Sequence, residues 1–204
     1  MQKILNSVII LLAILLLLLL GYYMYSSQES STEQKKETQI KIKNSEKLEF
    51  PTMDTEFDFE TINGVNFKLR ASKKKIKVDG LENKIVFLKI FGWDCKYCQK
   101  EIPELIKLKK DLGDTFDVIA IEAEQHTNEE SKKHIQMSGI NYNIVNGVKH
   151  NSFYNYLKVY YGWSGIIPVT IVLGKNGDIL AYEVGAQSYT LTELLNASIE
   201  RDKK

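Results

Sequence analysis

Phe91-Gly92-Trp93-Asp94-Cys95-Lys96-Tyr97-Cys98-Gln99-Lys100-Glu101-Ile102-Pro103 is the stretch on which the reading of this chain turns. It holds both cysteines of the 204-residue sequence, spaced Cys-x-x-Cys. The apolar run Ile85 to Phe91 leads into it. Apolar residues at helical spacing, Ile102, Leu105, Ile106, Leu108 and Leu112, lead out. A continuous apolar run followed by a 3.6-residue period predicts a buried strand and then a helix, with Cys95 at the junction. A helix N-terminus presents unpaired N–H groups and about half a positive charge. Both favour a thiolate, so the Cys95 thiol is expected below the free value of about 8.5. Cys98 lies one turn further on and can close a disulfide onto Cys95. The expected chemistry is dithiol–disulfide exchange, in which Cys95 attacks and Cys98 resolves the mixed disulfide.

Other uses of a cysteine pair fit less well. A zinc site needs two more ligands, and His126, His134 and His150 show no paired ligand spacing. A c-type haem site needs a histidine after the second cysteine, where this chain has Gln99. Two inert core cysteines have no reason to stand at a helix start. Neither a metal nor a cofactor is expected.

Away from this centre the chain changes character twice. Residues 1–25 read as an N-terminal membrane anchor: Val8 to Leu20 is unbroken apolar sequence, and the stretch from Ile4 to Met24 has the roughly 20 residues needed to cross a bilayer. Lys3 precedes it, which keeps the N-terminus in the cytoplasm by the positive-inside tendency, and Tyr22, Tyr23 and Tyr25 suit the far interface. A cleaved signal peptide is the rival, but Gly21-Tyr22-Tyr23-Met24-Tyr25 is a poor cleavage site. Residues 26–49 are rich in Ser, Gln, Glu and Lys and read as a disordered tether. Residues 50–204 read as one globular domain, long enough for a single core. The net charge is +1, and no basic patch argues for nucleic acid.

Within that domain, Phe57 to Ile62 alternates like a strand, Asn63-Gly64 is a hairpin turn, and Val65, Phe67 and Leu69 continue as the partner strand. Lys73-Lys74-Lys75 reads as a solvated turn and Ile76-Lys77-Val78 as a short strand. After the helix carrying the cysteines come a buried strand over Phe116 to Ala123, a helix over Asn128 to Ser138 and a short strand over Tyr142 to Val145. A helix over His150 to Tyr160 turns Phe153, Tyr154 and Leu157 inward. A strand over Ile166 to Leu173, a turn at Lys175-Asn176-Gly177-Asp178, a returning strand over Ile179 to Val184 and a last helix over Thr190 to Glu200 complete the domain. This alternation predicts an α/β fold with a mixed sheet.

The arrangement resembles the thioredoxin fold, and more closely its membrane-anchored extracytoplasmic branch of TlpA/ResA and CcmG/DsbE type. Four pieces carry the resemblance: Cys95-Lys96-Tyr97-Cys98 after a buried strand; Gln99-Lys100-Glu101-Ile102-Pro103; Gly165-Ile166-Ile167-Pro168-Val169-Thr170; and Lys175-Asn176-Gly177-Asp178 followed by Glu183-Val184-Gly185-Ala186. The resemblance implies a thioredoxin fold with an added N-terminal hairpin, preceded by a single transmembrane helix. It implies a redox disulfide Cys95–Cys98, a proton-transfer role for Glu101 and a cis-proline at Pro168 that shapes the substrate groove. It also implies substrate contacts at Ile167, by strand addition, and at Trp93, for which a purely structural role beside the site is the alternative.

The sequence departs from the family pattern at three places. Lys89 stands six before Cys95, where thioredoxins carry a buried acid and the TlpA branch usually an amide. A lysine on a central strand is costly unless it pairs, snorkels or points to a sheet end. The loop before Pro168 is one residue longer than usual, and Trp93-Asp94 replaces the family's small-Trp pair. His126 follows the Phe116 to Ala123 strand, on the sheet end where ligands of α/β folds gather.

What the resemblance implies for function is an extracytoplasmic thiol–disulfide oxidoreductase that reduces client disulfides, such as that of apocytochrome c during cytochrome c maturation. It sits in the cytoplasmic membrane as a single-pass protein with its domain outside. Its partners are then client disulfides, a membrane electron donor that re-reduces it, and the lipid bilayer through the N-terminal helix. Two other readings stay open: a disulfide oxidase or isomerase for exported proteins, and a redox-inert binding module on the same fold.

Overall fold

The computed structural model describes residues 55–203. The anchor read over 1–25 and the tether read over 26–49 lie outside the described residues. Among the described residues, no helix is long and apolar enough to cross a membrane.

The centre of the domain is strand β4, Ile85–Phe91, buried at all seven positions. A strand reads as continuously apolar when both of its faces are covered, and both are covered here. Val86, Leu88 and Ile90 point into one core with Phe57, Phe59, Phe153, Tyr156 and Leu157. Ile85, Phe87 and Phe91 point into the other with Cys98, Ile102, Leu105, Leu194 and Leu195. Each such apolar side chain contributes about 1.5–3 kcal/mol on burial, which offsets the cost of the one charged member, Lys89.

Around β4 lie β5 (Phe116–Glu122), β6 (Asn143–Asn146), β7 (Val169–Leu173) and β8 (Ile179–Val184), in the order β6-β5-β4-β7-β8. β5 runs parallel to β4 and β6 parallel to β5; β7 is antiparallel to β4, and β8 to β7. The sheet is therefore mixed. One face carries α1 (Lys96–Leu112) and α4 (Leu191–Asp202). The other carries α3 (Asn151–Tyr161) and a second sheet. α2 (Asn128–Ser138) follows β5. Helices α2 and α4 start at capping boxes, Thr127 with Glu130 and Thr190 with Glu193, each of which satisfies two orphan donors reciprocally.

The added hairpin is a three-stranded antiparallel sheet: β1 (Thr55–Glu60), β2 (Asn66–Ala71) and β3 (Ile76–Val78), in that order. Its register places Phe57 opposite Leu69 and Phe59 opposite Phe67, so the aromatic side of the hairpin faces α3. Phe153 meets Phe57 and Phe59 edge-on, at 5.2 and 5.5 Å between ring centres. Gly64 takes φ +81 at the turn, a conformation glycine adopts without penalty.

Several expectations shift in detail. Val65 does not start β2; it sits in the turn, 53% exposed, its N–H held by the Thr61 hydroxyl. Tyr154 is only half-buried, and Tyr156 takes the inward place beside Phe153 and Leu157, because residues three and four apart share a helix face. β7 begins at Val169, after a proline that has no N–H for the ladder, and Ile166 is exposed. Thr190 caps α4 from outside its first turn.

Candidate redox site

Cys95 is the N-cap of α1, with extended backbone at φ −75 and ψ 106. Its Sγ accepts the Cys98 N–H at 3.2 Å, so one of the orphan donors of the helix start points at sulfur. No acidic residue stands in the first turn to offset the field there. The two cysteines are joined in a disulfide with Cα atoms 5.2 Å apart. Their environments differ: Cys98 is buried at 2% exposure, while Cys95 is half-buried at the surface. The loop is held from behind by Gln99, whose side-chain amide donates to the Trp93 carbonyl.

Beneath α1 lies a buried ion pair. Lys89 is 1% exposed, and its Nζ is 2.9 Å from Glu101 Oε2. The same ammonium donates to the hydroxyl of Thr170, its register partner on β7. Of the three outcomes open to a lysine on a central strand, this one pairs. Burial pulls its pKa below the ordinary lysine value, and the charge and hydrogen bond of Glu101 oppose that pull. Tyr142, just before β6, also feels Glu101: burial first, and the carboxylate second, push its phenol well above the usual range. Glu101 itself remains one-fifth exposed. It therefore joins the buried lysine to the surface near Cys98, three residues before it on the same helix.

The Gly165–Pro168 loop reaches the cluster that holds Cys98 through Ile167. The Ile167–Pro168 bond is cis. Pro168 is buried, and half-buried Ile167 packs on the same cluster as Cys95 and Cys98. The additional loop residue shows as Ile166, 56% exposed, whose carbonyl accepts the Trp163 indole N–H at 2.8 Å. Gly165 takes φ +92 to make that excursion.

Of the two roles open to Trp93, its placement suits the structural one. It is 2% exposed, donates its indole N–H to the buried Ser131 hydroxyl at 3.0 Å, and stacks on His134 at 4.8 Å. Its side chain offers no surface to a substrate; it pins the loop before Cys95 to α2. The reason is the apolar pocket between Phe91 and α2, which takes the ring edge-on to Phe91.

Of a second group, His126 stood out in the sequence and its partners did not. Glu122, fully buried at the end of β5, accepts the backbone N–H groups of Glu124 and His126 at 2.8 and 3.1 Å. His126 Nδ1 lies 3.3 Å from Glu122, and Nε2 lies 3.5 Å from Asp94, the neighbour of Cys95. Desolvation lowers the His126 pKa, but the Glu122 hydrogen bond and charge, helped by Asp94 and Glu130, more than offset it, and the net direction is upward. Glu124 in turn accepts the Asp94 N–H at 2.7 Å. A Cβ at position 92 would lie 2.0 Å from the Glu124 carboxyl carbon, so a side chain there would have to displace Glu124 from this position. Asp94, Glu124 and His126 bring ligand atoms within 4.8 Å of one another, the spacing a cation could share among the described residues. The one advance signal was His126, set just after this strand at the sheet end where ligands of α/β folds gather.

Comparison with known proteins follows the same lines. The AhpC/TSA family profile matches residues 63–182, more than half of the chain. Thiol-disulfide oxidoreductase ResA from Bacillus thuringiensis (strain Al Hakam) and from Bacillus anthracis are each 28% identical over 120 residues, covering 56% of this chain and 63% of the relative. The chain thus spans less than two thirds of the length of these curated relatives. A secreted thiol-disulfide isomerase from Corynebacterium glutamicum superposes with a TM-score of 0.59 at 15% identity, over 74% of this chain and 86% of its own. StoA from Bacillus subtilis does so with a TM-score of 0.53 at 17% identity, over 72% and 99%. Both structural likenesses bear on the fold, which is that of thioredoxin.

Proposed function

This chain belongs to the AhpC/TSA family, and on that premise we propose that it is a thiol–disulfide oxidoreductase that reduces the disulfides of client proteins. The single observation that carries the reading is the asymmetric pair: a reachable Cys95 at a helix N-cap, joined to a Cys98 sealed beneath it. The names of the ResA relatives support the same reaction class.

In the reduced enzyme the Cys95 thiolate attacks one sulfur of a client cystine. A Cys95–client bond forms, the client S–S bond breaks, and the second client sulfur leaves as a thiolate. Cys98 then gives up its proton and bonds to the Cys95 sulfur. The client sulfur departs with the electron pair of the broken mixed disulfide and is protonated. Glu101, three residues after Cys98 on the same helix, relays the Cys98 proton to the solvent side and is then again a carboxylate; its one-fifth exposure supports that role. The cycle leaves Cys95–Cys98 oxidised, so a two-electron donor must reduce it again.

The client strand lies along Ile167 and Pro168 in the manner of strand addition; the packing of Ile167 on the cluster that holds Cys98 supports this. The client we favour is apocytochrome c, whose cysteines must be reduced before haem attaches. That choice rests on the resemblance of Cys95 to Pro103 and of Gly165 to Thr170 to the ResA and DsbE types. The apolar stretch Ile4 to Met24 supports a single anchor in the cytoplasmic membrane, with the domain on the outer side and a membrane donor in reach.

The test is the reduction potential of the Cys95–Cys98 pair in the full chain, with trapping by Cys98→Ser. A potential near or below about −230 mV, and apocytochrome c among the trapped mixed disulfides, is the expected result. A potential near about −120 mV would make the protein an oxidant of exported proteins. No trapped species at all would overturn the assigned order of attack.

A further inference from the structure

The buried pair beneath α1 is more than a scaffold contact. Lys89 is nearly inaccessible on the central strand, and its stem fills space that an apolar residue would fill without cost. A buried ion pair gains little stability over well-packed apolar side chains of the same size. Its position is what distinguishes it. Glu101 follows Cys98 by three residues on α1, which places their Cβ atoms about 5–6 Å apart. Thr170 and Glu101 together fix the ammonium from two elements, β7 and α1. The other titratable group shown to face Glu101 is the Tyr142 phenol, which stays neutral, and the disulfide carries no charge.

We infer that Lys89 is a positioning residue for the dithiol reaction: its ammonium holds and neutralises the Glu101 carboxylate, so that the thiolate formed at Cys98 meets a balanced charge pair in place of a bare anion. The inference rests on the dithiol chemistry proposed above. With Lys89 present, forming the Cys98 thiolate adds one negative charge beside a pair that sums to zero. With Lys89 removed, the same thiolate forms beside an unpaired carboxylate, and two like charges one helical turn apart disfavour each other.

The experiment uses the full chain in a Cys95→Ser background, in which Cys98 is the remaining thiol, and follows its titration by thiolate absorbance. Lys89→Met is expected to move the midpoint upward by about one pH unit, a tenfold loss of thiolate at any pH well below it. Lys89→Met combined with Glu101→Gln is expected to return the midpoint to near its starting value, because the unmasked anion is gone. Lys89→Gln keeps a hydrogen-bonding group for Thr170 and Glu101 without the charge. It is expected to shift the midpoint in the same direction, and it serves where the methionine variant does not give native near-ultraviolet circular dichroism. An unmoved midpoint in a folded Lys89 variant overturns the inference, as does a double variant that keeps the whole shift of the single one. This readout needs no client. If the wild-type chain reduces no client disulfide while these shifts hold, the proposed function falls and the role of Lys89 stands.

Discussion

Ser131→Ala tests how the loop before Cys95 is held. Ser131 is fully buried on α2, and its hydroxyl is the acceptor for the Trp93 indole N–H at 3.0 Å. Trp93 is itself 2% exposed. The alanine variant removes only one oxygen, so the packing loss is small. What it creates is a buried indole N–H with no acceptor, and leaving such a donor unpaired costs about 1–3 kcal/mol. For a domain of this size that amounts to a fall of roughly 2–4 °C in Tm per kcal/mol. Urea unfolding of oxidised protein at neutral pH is the assay, with the m-value checked for constancy. Trp93→Phe closes the cycle: it deletes the N–H, so Ser131→Ala should cost much less in that background, and the difference is the coupling energy. A loss within about 0.5 kcal/mol for Ser131→Ala alone, or equal losses in both backgrounds, would refute the view that this hydrogen bond pins the loop.

His126 gives a pH signature. Its pKa is raised in the folded state, so the stability it contributes is fully present below its unfolded value of about 6.5 and is lost as pH rises through the folded value. The stability gap between wild type and His126→Gln, measured by urea unfolding from pH 5 to 9, should therefore shrink as pH rises; a gap that widens contradicts the assignment. Glu104 on α1 accepts the N–H groups of Leu191 and Thr192 at 3.1 and 2.8 Å, and so caps α4 from a neighbouring helix. Glu104→Ala should cost about 1 kcal/mol in chemical unfolding, and Glu104→Gln less than that. Phe153→Ala empties the junction between α3 and the small sheet, and a loss of about 3–5 kcal/mol is expected, read as a drop in the urea midpoint.

How far the sequence carried can be seen residue by residue. The strand Ile85 to Phe91 and the helix beginning after Cys95 were legible because burial on both faces and helical periodicity leave strong local marks. Lys89 was legible as an anomaly, since a charge inside an apolar run has to be accounted for. Its partner was one of several, and only the packing of α1 over β4 chose Glu101. Tyr156 was passed over for Tyr154 because both are tyrosines on one helix, and which turns inward depends on the neighbouring sheet. Trp93 was read as a substrate contact or a structural residue beside the cysteines, and the choice is made by Ser131 and His134, more than thirty residues away. Glu122 was hidden for a similar reason: its hydrogen bonds go to a loop whose path has no local signature.

The cysteine pair also has a thermodynamic consequence for the domain as a whole. The two residues are separated by three positions, so the ring their bond closes is very small. In the chain-entropy view, closing so short a ring removes only about 2 kcal/mol of freedom from the unfolded chain, less than a long loop would. Both cores are built from the strands and helices around β4 and do not depend on that bond to close. Opening it therefore spends little of the 5–15 kcal/mol that typically keeps a domain folded. On the proposed function, the folded domain outlasts each opening of that bond, so the free energy of an electron exchange would go to the client and not into melting and rebuilding its carrier.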